Sequence, residues 1–290
     1  MPILPLGQLS LYYIQAGSGP DVVLTHGLAS SLAFWYLRVF PALTRHYRVT
    51  LYDLRGHGHS SMPPTGYTSA GMAEDLGRLL DALRIDTAHL IAHSYGGLVA
   101  LEYATANPDR VASLTIADSR IPSLQPQVKL QDWPYWPVWR KTLLIWGVPL
   151  PPPDSDVDFH LLEAIASAGA GRPGTLIASP LGHLAAWRRN RRATEQWLRL
   201  LRTTTAREEF RSTCGPSLEK IQELECPILA IFGEYSHCLP TCHRLAEISA
   251  DCHVIVLPRV GHFHPTVRPG PFVHHLRTFL LQQERERVPG

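Results

Sequence analysis

A serine stands at an abrupt change of pattern in the first half of the chain. The apolar run Thr87–Ala92 predicts a buried strand, and it ends at His93-Ser94-Tyr95-Gly96-Gly97, directly before a helical pattern. A serine in so tight a strand-to-helix turn has a strained backbone and an exposed hydroxyl, and the following helix directs free N–H groups toward it. The residues two before and two after it are small, as in G-x-S-x-G with alanine replacing the first glycine. We therefore predict that Ser94 is a nucleophile.

A serine hydroxyl is a poor nucleophile near neutral pH, so Ser94 needs a base within hydrogen-bond reach. An imidazole, with an ordinary pKa of about 6.5, can accept the serine proton and return it to a leaving group. Two candidates lie near the end of the chain, His262 and His264.

The elements around these residues alternate between strands and helices. Strands are predicted at Leu9–Gln15, Val22–Thr25, Tyr47–Tyr52, Val111–Ala117, Ile228–Phe232 and Val254–Leu257. A helix capped by Ser30 or Ser31 is expected to run to Leu43, and others are expected from Thr68 or Ser69, over Cys238–Ser249 and over Phe272–Gln283. This spacing predicts a parallel sheet covered on both faces.

The alternation stops after Asp118 and resumes near residue 226. The intervening segment has aromatic, turn-rich and helical stretches, the last around Phe159–Ala168 and His183–Leu201. We predict one core, residues 1–118 and 226–290, with a helical cap inserted at 119–225.

Three further motifs accompany the serine turn, in order along the chain. They are His26-Gly27 with Trp35 downstream, Asp53-x-Arg55-Gly56-x-Gly58-x-Ser60 followed by Pro63, and Val260-Gly261-His262-Phe263. With Ala92-His93-Ser94-Tyr95-Gly96 they resemble four motifs of the α/β-hydrolase superfamily, and the resemblance covers the chain outside the insertion. It implies an α/β-hydrolase fold with a serine nucleophile, and its Gly-His-Phe motif favours His262 as the base. Asp53 and Arg55 are expected to brace their turn.

The acid expected to orient His262 departs from the superfamily pattern. Gly233 and Pro240 keep their places after a predicted strand, but Ser236 stands where the pattern has aspartate. A serine has no charge with which to stabilise a protonated imidazole, and neutralising the acid of a Ser-His-Asp triad costs about ten-thousand-fold in turnover. Some members of the superfamily carry the acid after the strand that follows the nucleophile helix, which here is Asp118. We favour Asp118, with Glu234 as the alternative and a capping role for Asp118 as the simplest competing interpretation.

The resemblance also implies an oxyanion hole formed by the backbone N–H groups of Leu28 and Tyr95. Five aromatic side chains are candidates for the substrate pocket: His26, Trp35, Trp133, Trp136 and Trp139. The three later tryptophans are equally suited to joining the cap to the core. The basic run Arg188–Arg192 is expected to be a solvated helix face rather than an anion clamp.

Composition limits the possible partners. The chain has 290 residues, a net charge of +2 and 45% hydrophobic residues, which predicts a globular domain with no affinity for nucleic acid and no membrane span. Its start has no basic region of a signal peptide and alternates like a strand, so we expect it to be folded. Five cysteines suit free thiols in the cytoplasm. Histidines and cysteines cluster at 237–253, but their spacing matches no standard metal site, so neither a metal nor a cofactor is expected.

We therefore predict a serine hydrolase that cleaves a carboxylic ester, thioester or related bond of an apolar or aromatic acyl compound. A serine at position 94 argues against haloalkane dehalogenases and epoxide hydrolases of this fold, which have aspartate there. Three alternatives remain open: a hydrolase of carbon–carbon bonds in β-diketone-like substrates, a cofactor-free oxygenase, and a ligand-binding protein without catalysis.

Overall fold

Eight strands form one sheet through the centre of the molecule. The computed structural model describes residues 2–157, 159–169 and 191–287. The strands are β1 (Ile3–Leu6), β2 (Leu9–Ala16), β3 (Asp21–Thr25), β4 (Arg48–Tyr52), β5 (Ala88–His93), β6 (Val111–Ala117), β7 (Ile228–Gly233) and β8 (Cys252–Leu257).

The sheet has the order β1-β2-β4-β3-β5-β6-β7-β8. The β1–β2 and β2–β4 pairs are antiparallel, and every other pair is parallel. All six residues of β5 and of β7 are buried, as expected for central strands covered on both faces. The carboxyl ends of β5, β6, β7 and β8 therefore meet along one edge, where the loops that follow them come together.

Helices cover both faces of the sheet. They are α1 (Ala33–Tyr36), α2 (Val39–Leu43), α3 (Ser69–Ala82), α4 (Tyr95–Ala106), α5 (Trp136–Ile145), α6 (Phe159–Gly169), α7 (Arg191–Thr203), α8 (Ala206–Ser212), α9 (Leu218–Gln222), α10 (Leu239–Ile248), α11 (His264–Val267) and α12 (Pro269–Arg287). One apolar core lies between the sheet and α3, α4 and α10, and a second lies between the sheet and α1, α2 and α12. Thr68 caps α3 through its side chain, as predicted.

The predicted fold class is confirmed, but the serine cap expected at Ser30 or Ser31 was wrong, and the single helix expected to run to Leu43 is divided in two. Its place is taken by α1 and α2, and α1 starts after Leu32 without a side-chain cap. The N–H of Leu32 donates instead to the carboxylate of Asp53, 2.7 Å away. A residue from a distant loop thus provides the acceptor that a local serine was expected to provide.

Between β6 and β7 the described residues form five α-helices, one short 3₁₀ helix and an isolated β-bridge. A third apolar cluster lies here, built around Leu130, Trp133, Leu143 and Ile165. The predicted cap limits remain a prediction. The basic residues 188–190, and the part of the predicted helical stretch before residue 191, lie outside the described residues. Within the described parts of the chain, no helix is long and apolar enough to cross a membrane.

The turn between β5 and α4 is packed too tightly for a side chain at Gly96. A methyl group there would lie 2.4 Å from the carbonyl oxygen of His26 and 2.9 Å from that of Thr25, both on the neighbouring strand and its loop. Backbone oxygens cannot move aside without shifting β3, so the second glycine of the motif is needed for steric reasons.

We expect Gly96→Ala to lower the free energy of unfolding by about 3 kcal/mol, at the upper end of the usual cost of overpacking. Gly270→Ala is the matched control, because its added methyl group meets no atom within 4 Å. Urea unfolding followed by circular dichroism measures both variants. Equal stability of Gly96→Ala and Gly270→Ala would contradict the steric argument.

Candidate active site

Ser94 occupies a strained turn between β5 and α4. Its backbone has φ 56° and ψ −129°, a combination that non-glycine residues rarely adopt and that costs about 1–3 kcal/mol. Hydrogen bonds on both sides hold it: its N–H donates to the carbonyl of Ala117 at 3.1 Å, and its carbonyl accepts the hydroxyl of Ser119 at 2.6 Å. Helix α4 begins at the next residue, so the first N–H groups of that helix surround the serine.

The imidazole of His262 lies beside this hydroxyl. Nε2 of His262 is 3.0 Å from Oγ of Ser94, within the range in which the hydroxyl donates to the ring. The loop after β8 that carries His262 is tied to the serine turn, because Nε2–H of His93 donates to the carbonyl of His262 at 2.8 Å. The rings of these two histidines lie 4.7 Å apart, so His93 positions the loop from beneath.

The carboxylate of Asp118 lies at the other side of the imidazole. Oδ1 of Asp118 is 3.4 Å from Nδ1 of His262, and the aspartate is fully buried. Asp118 directly follows β6, and its φ of 52° is uncommon for a residue other than glycine. The sequence therefore proposed three residues from three separate strand ends, and the fold places Ser94 and Asp118 at opposite nitrogens of the His262 ring.

Three other groups donate to the Asp118 carboxylate. The N–H of Gly233 donates to Oδ2 at 2.8 Å, the hydroxyl of Ser236 donates to Oδ1, and Nε2–H of His264 lies 3.1 Å from Oδ2. Ser236, the residue at the usual acid position, is thus hydrogen-bonded to the carboxylate of β6. Sequence reasoning listed His264 only as a rival base, but this histidine is fully buried behind Asp118 and donates also to the carbonyl of Ile231.

Glu234, the alternative acid, is exposed, and Oε2 of its carboxylate accepts the N–H of Arg259 at 2.7 Å. This carboxylate braces the turn after β8. Among the described residues, Asp118 is the carboxylate within 4 Å of the His262 ring.

Charge in the site is set by burial and by these contacts. Burial would raise the pKa of Asp118, but hydrogen bonds from His262 and His264 outweigh it and hold the pKa far below its usual range. Burial would likewise lower the pKa of His262, but its contacts with Asp118 and Cys238 outweigh it and raise the pKa to about 9. The pKa of His93 lies well below its ordinary value because the ring is buried and faces His262. The site therefore combines an ionised carboxylate with a strongly basic imidazole.

The loop at residues 26–32 is fixed by two buried histidines and an aspartate. Nε2 of His26 accepts the N–H of Leu54, and Nε2 of His57 accepts the N–H of Ala29. Burial lowers the pKa of His26 to about 3 and that of His57 to about 4, so both rings are neutral acceptors. The carboxylate of Asp53 accepts the N–H of Leu32 in this loop and the N–H of His59 in its own turn, which agrees with its expected bracing role. The sequence analysis did not propose a role for His57, although its position between the two glycines of the Asp53 motif indicated that it lies in the same turn.

A cavity of about 520 Å³ opens above Ser94. Trp133 and Trp139 line it from the predicted cap, and they also contribute to the apolar cluster of that segment. Trp136 belongs to this cluster but is not among the residues that line the cavity. His26 and Trp35, also proposed for the pocket, do not line it either, because both are fully buried beneath the site. Phe34, which the sequence did not single out, lines the floor in their place.

Comparison with known proteins agrees with this fold. Residues 20–149 match the family described as α/β hydrolase fold. The putative carbamate hydrolase RutD of Azorhizobium caulinodans is 36% identical over 118 residues, 41% of this chain and 44% of that protein. The soluble epoxide hydrolase of Corynebacterium sp. is 41% identical over 114 residues, 39% of each chain. The matched segments thus span less than half the length of these relatives.

Among solved structures, the enol-lactonase from Burkholderia xenovorans superposes with a TM-score of 0.70, at 23% identity, over 97% of this chain and all of that one. A similarity at this identity reports the fold. With the family match over residues 20–149, it shows that the chain has the α/β-hydrolase fold.

The assignment of the acid is tested by Asp118→Asn. We expect Ser94 to react with a fluorophosphonate roughly 10⁴-fold more slowly in this variant, because the imidazole loses the charge that stabilises its protonated form. Glu234→Gln, the matched control, is expected to react at the unmodified rate, because Glu234 faces away from the ring. A normal rate in Asp118→Asn would overturn the assignment, and slow labelling of Glu234→Gln would transfer it to Glu234.

The raised pKa of His262 predicts an alkaline pH profile. Only the neutral ring can accept the serine proton, so the rate of fluorophosphonate labelling is expected to rise with pH and to level off above the pKa of about 9. Rates measured from pH 6 to 10, each corrected for spontaneous hydrolysis of the reagent, give the inflection. An inflection at or below the ordinary histidine value of about 6.5 would contradict the expected influence of Asp118 and Cys238.

Proposed function

We propose that this protein is a serine hydrolase that cleaves carboxylic esters, thioesters or related acyl compounds through an acyl-enzyme. The observation that carries the proposal is the continuous path from Oγ of Ser94 to Nε2 of His262 at 3.0 Å, and from Nδ1 to the buried Asp118 carboxylate at 3.4 Å. At its Ser94 end the path opens into a largely apolar cavity that can hold a small molecule. The hydrolase names of the partial relatives support a hydrolytic reaction in general.

In the proposed first step, His262 accepts the hydroxyl proton while Oγ of Ser94 forms a bond to the acyl carbon. The tetrahedral intermediate then expels its alcohol or thiol, which takes the proton from Nε2. In the second step a water molecule attacks the acyl-enzyme and gives its proton to His262. Collapse returns that proton to Ser94 and releases the carboxylic acid. Asp118 stays ionised throughout and stabilises the imidazolium.

The negative oxygen of the intermediate would be bound by the N–H groups of Leu28 and Tyr95. Tyr95 supplies the first N–H of α4, at the positive end of the helix dipole. A methyl group on Gly27 would lie 2.7 Å from Cβ of Ser94, so the chain just before Leu28 passes directly over the serine. Each such donor contributes roughly 3–4 kcal/mol of transition-state stabilisation in comparable sites.

The lining of the cavity favours an apolar or aromatic acyl group. Trp133, Trp139, Phe159, Leu161 and Phe210 line it from the predicted cap. Burying an acyl chain against such side chains contributes about 0.8 kcal/mol per methylene group. The preferred substrate is therefore expected to have an acyl group several carbons longer than acetyl, or an aromatic one.

The proposal is tested with p-nitrophenyl esters of increasing acyl length and with a benzoyl ester. We expect kcat/KM to rise severalfold per methylene beyond acetate until the cavity is full, and on the order of 10⁶-fold lower turnover in Ser94→Ala. Ser30→Ala is the matched control, because it removes another hydroxyl that lines the cavity. The same assays under nitrogen are expected to give unchanged rates.

Full activity in Ser94→Ala would overturn the nucleophile assignment. A requirement for dioxygen would favour the cofactor-free oxygenase instead. Binding of apolar ligands without turnover of any ester or thioester would favour a non-catalytic role.

A further inference from the structure

Three potential metal ligands converge on one wall of the cavity. Nε2 of His237 lies 3.4 Å from Sγ of Cys238, which lies 3.8 Å from Nδ1 of His262. One ligand atom from each of the three residues lies within 4.8 Å of the other two. All three residues line the cavity, so a small ion in solution can reach them.

We propose that these side chains form an inhibitory site for a thiophilic divalent cation such as Zn²⁺. Tetrahedral zinc with bonds of about 2.0–2.3 Å keeps its nitrogen and sulfur ligands about 3.5 Å apart, close to the two separations found here. A set of two imidazoles and one thiolate binds zinc in preference to harder divalent cations such as Mg²⁺ and Ca²⁺. Three protein ligands would leave the fourth position of a tetrahedral ion for a water molecule.

The spacing of histidines and cysteines along the chain did not indicate this site. His237 and Cys238 are neighbours at the start of α10, whereas the third ligand lies 24 residues further along, on the loop after β8. The other members of the 237–253 cluster do not line the cavity. The site exists because β7 and β8 are adjacent and parallel, so their following loops meet.

Metal binding would change which nitrogen of the His262 ring carries the proton. In the neutral ring without metal, the 3.4 Å contact with Asp118 places the proton on Nδ1, which leaves the lone pair of Nε2 to accept the Ser94 hydroxyl. When Nδ1 coordinates a cation, its proton moves to Nε2, and Cys238 releases one proton as its thiol becomes a thiolate. Nε2 then donates a hydrogen bond and cannot accept a proton from Ser94. Inhibition in this sense rests on the proposed function, whereas binding does not.

Binding is measured first, with Co²⁺ as a probe on the full chain, because tetrahedral cobalt bonded to a thiolate absorbs visible light. We expect a thiolate–cobalt band at one equivalent, lost on addition of Zn²⁺. Affinity is expected to fall at least 10- to 100-fold in Cys238→Ser and in His237→Phe, which keeps an aromatic ring but no nitrogen. Cys214→Ser, at an exposed cysteine, is the matched control and is expected to bind as before. An unchanged band in Cys238→Ser and His237→Phe would overturn the site, as would the absence of any band in the unmodified protein.

Inhibition is measured next, as fluorophosphonate labelling with and without Zn²⁺, each variant being compared with its own metal-free rate. We expect Zn²⁺ to suppress labelling reversibly in the unmodified protein and in Cys214→Ser, with chelation by EDTA restoring it. The zinc concentration for half-suppression is expected to rise at least tenfold in Cys238→Ser and His237→Phe. Labelling that zinc does not affect, despite a cobalt band, would overturn the inhibitory role. A cobalt band in a protein that no fluorophosphonate labels would leave the metal site standing and refute the proposed hydrolase.

Discussion

The buried carboxylate of Asp118 is the interaction on which the arrangement of the site depends. A fully buried negative charge is costly unless several donors surround it, and here an N–H, a hydroxyl and two imidazoles do so. The donors come from the end of β7, the segment that follows it and the stretch after β8 up to the start of α11, while the acid itself directly follows β6. The contacts that offset the cost of burying this charge therefore also hold three segments of the chain together. They also set the direction in which the imidazole of His262 points, since its Nδ1 faces the only charged oxygen nearby among the described residues.

Much of the fold was readable from the chain because its signals are local. Val111–Ala117 was predicted with the limits that the structure has, since a continuous apolar run between turns leaves little choice. The start of α3 followed from a capping threonine. The serine cap predicted at Ser30 or Ser31 was wrong, because the N–H of Leu32 donates to Asp53 in another loop. Local patterns cannot reveal a partner 21 residues away in the chain.

The same distinction applies to the candidate site. Ser94 and His262 stand in motifs whose turns require particular residues, so their types and spacing singled them out. Asp118 could be proposed because the usual acid position holds Ser236, which has no charge. The groups that donate hydrogen bonds to Asp118 could not be predicted. His264 and His57 act through buried contacts that depend on how loops from distant parts of the chain pack together. The pocket residues were the least predictable, because the residue type alone does not show whether a tryptophan such as Trp35 lines a cavity or is buried in the core.

Placing the acid directly after β6 separates two tasks that a single loop usually combines, the orientation of His262 and the lining of the cavity. The segment from Tyr235 to Cys238 does not carry the acid, yet Tyr235, His237 and Cys238 still form part of the cavity wall. Ser236 alone remains tied to the carboxylate. The side chain of Tyr235 can therefore change in size and polarity without removing any of the donors to Asp118, so this position offers a route to new selectivity.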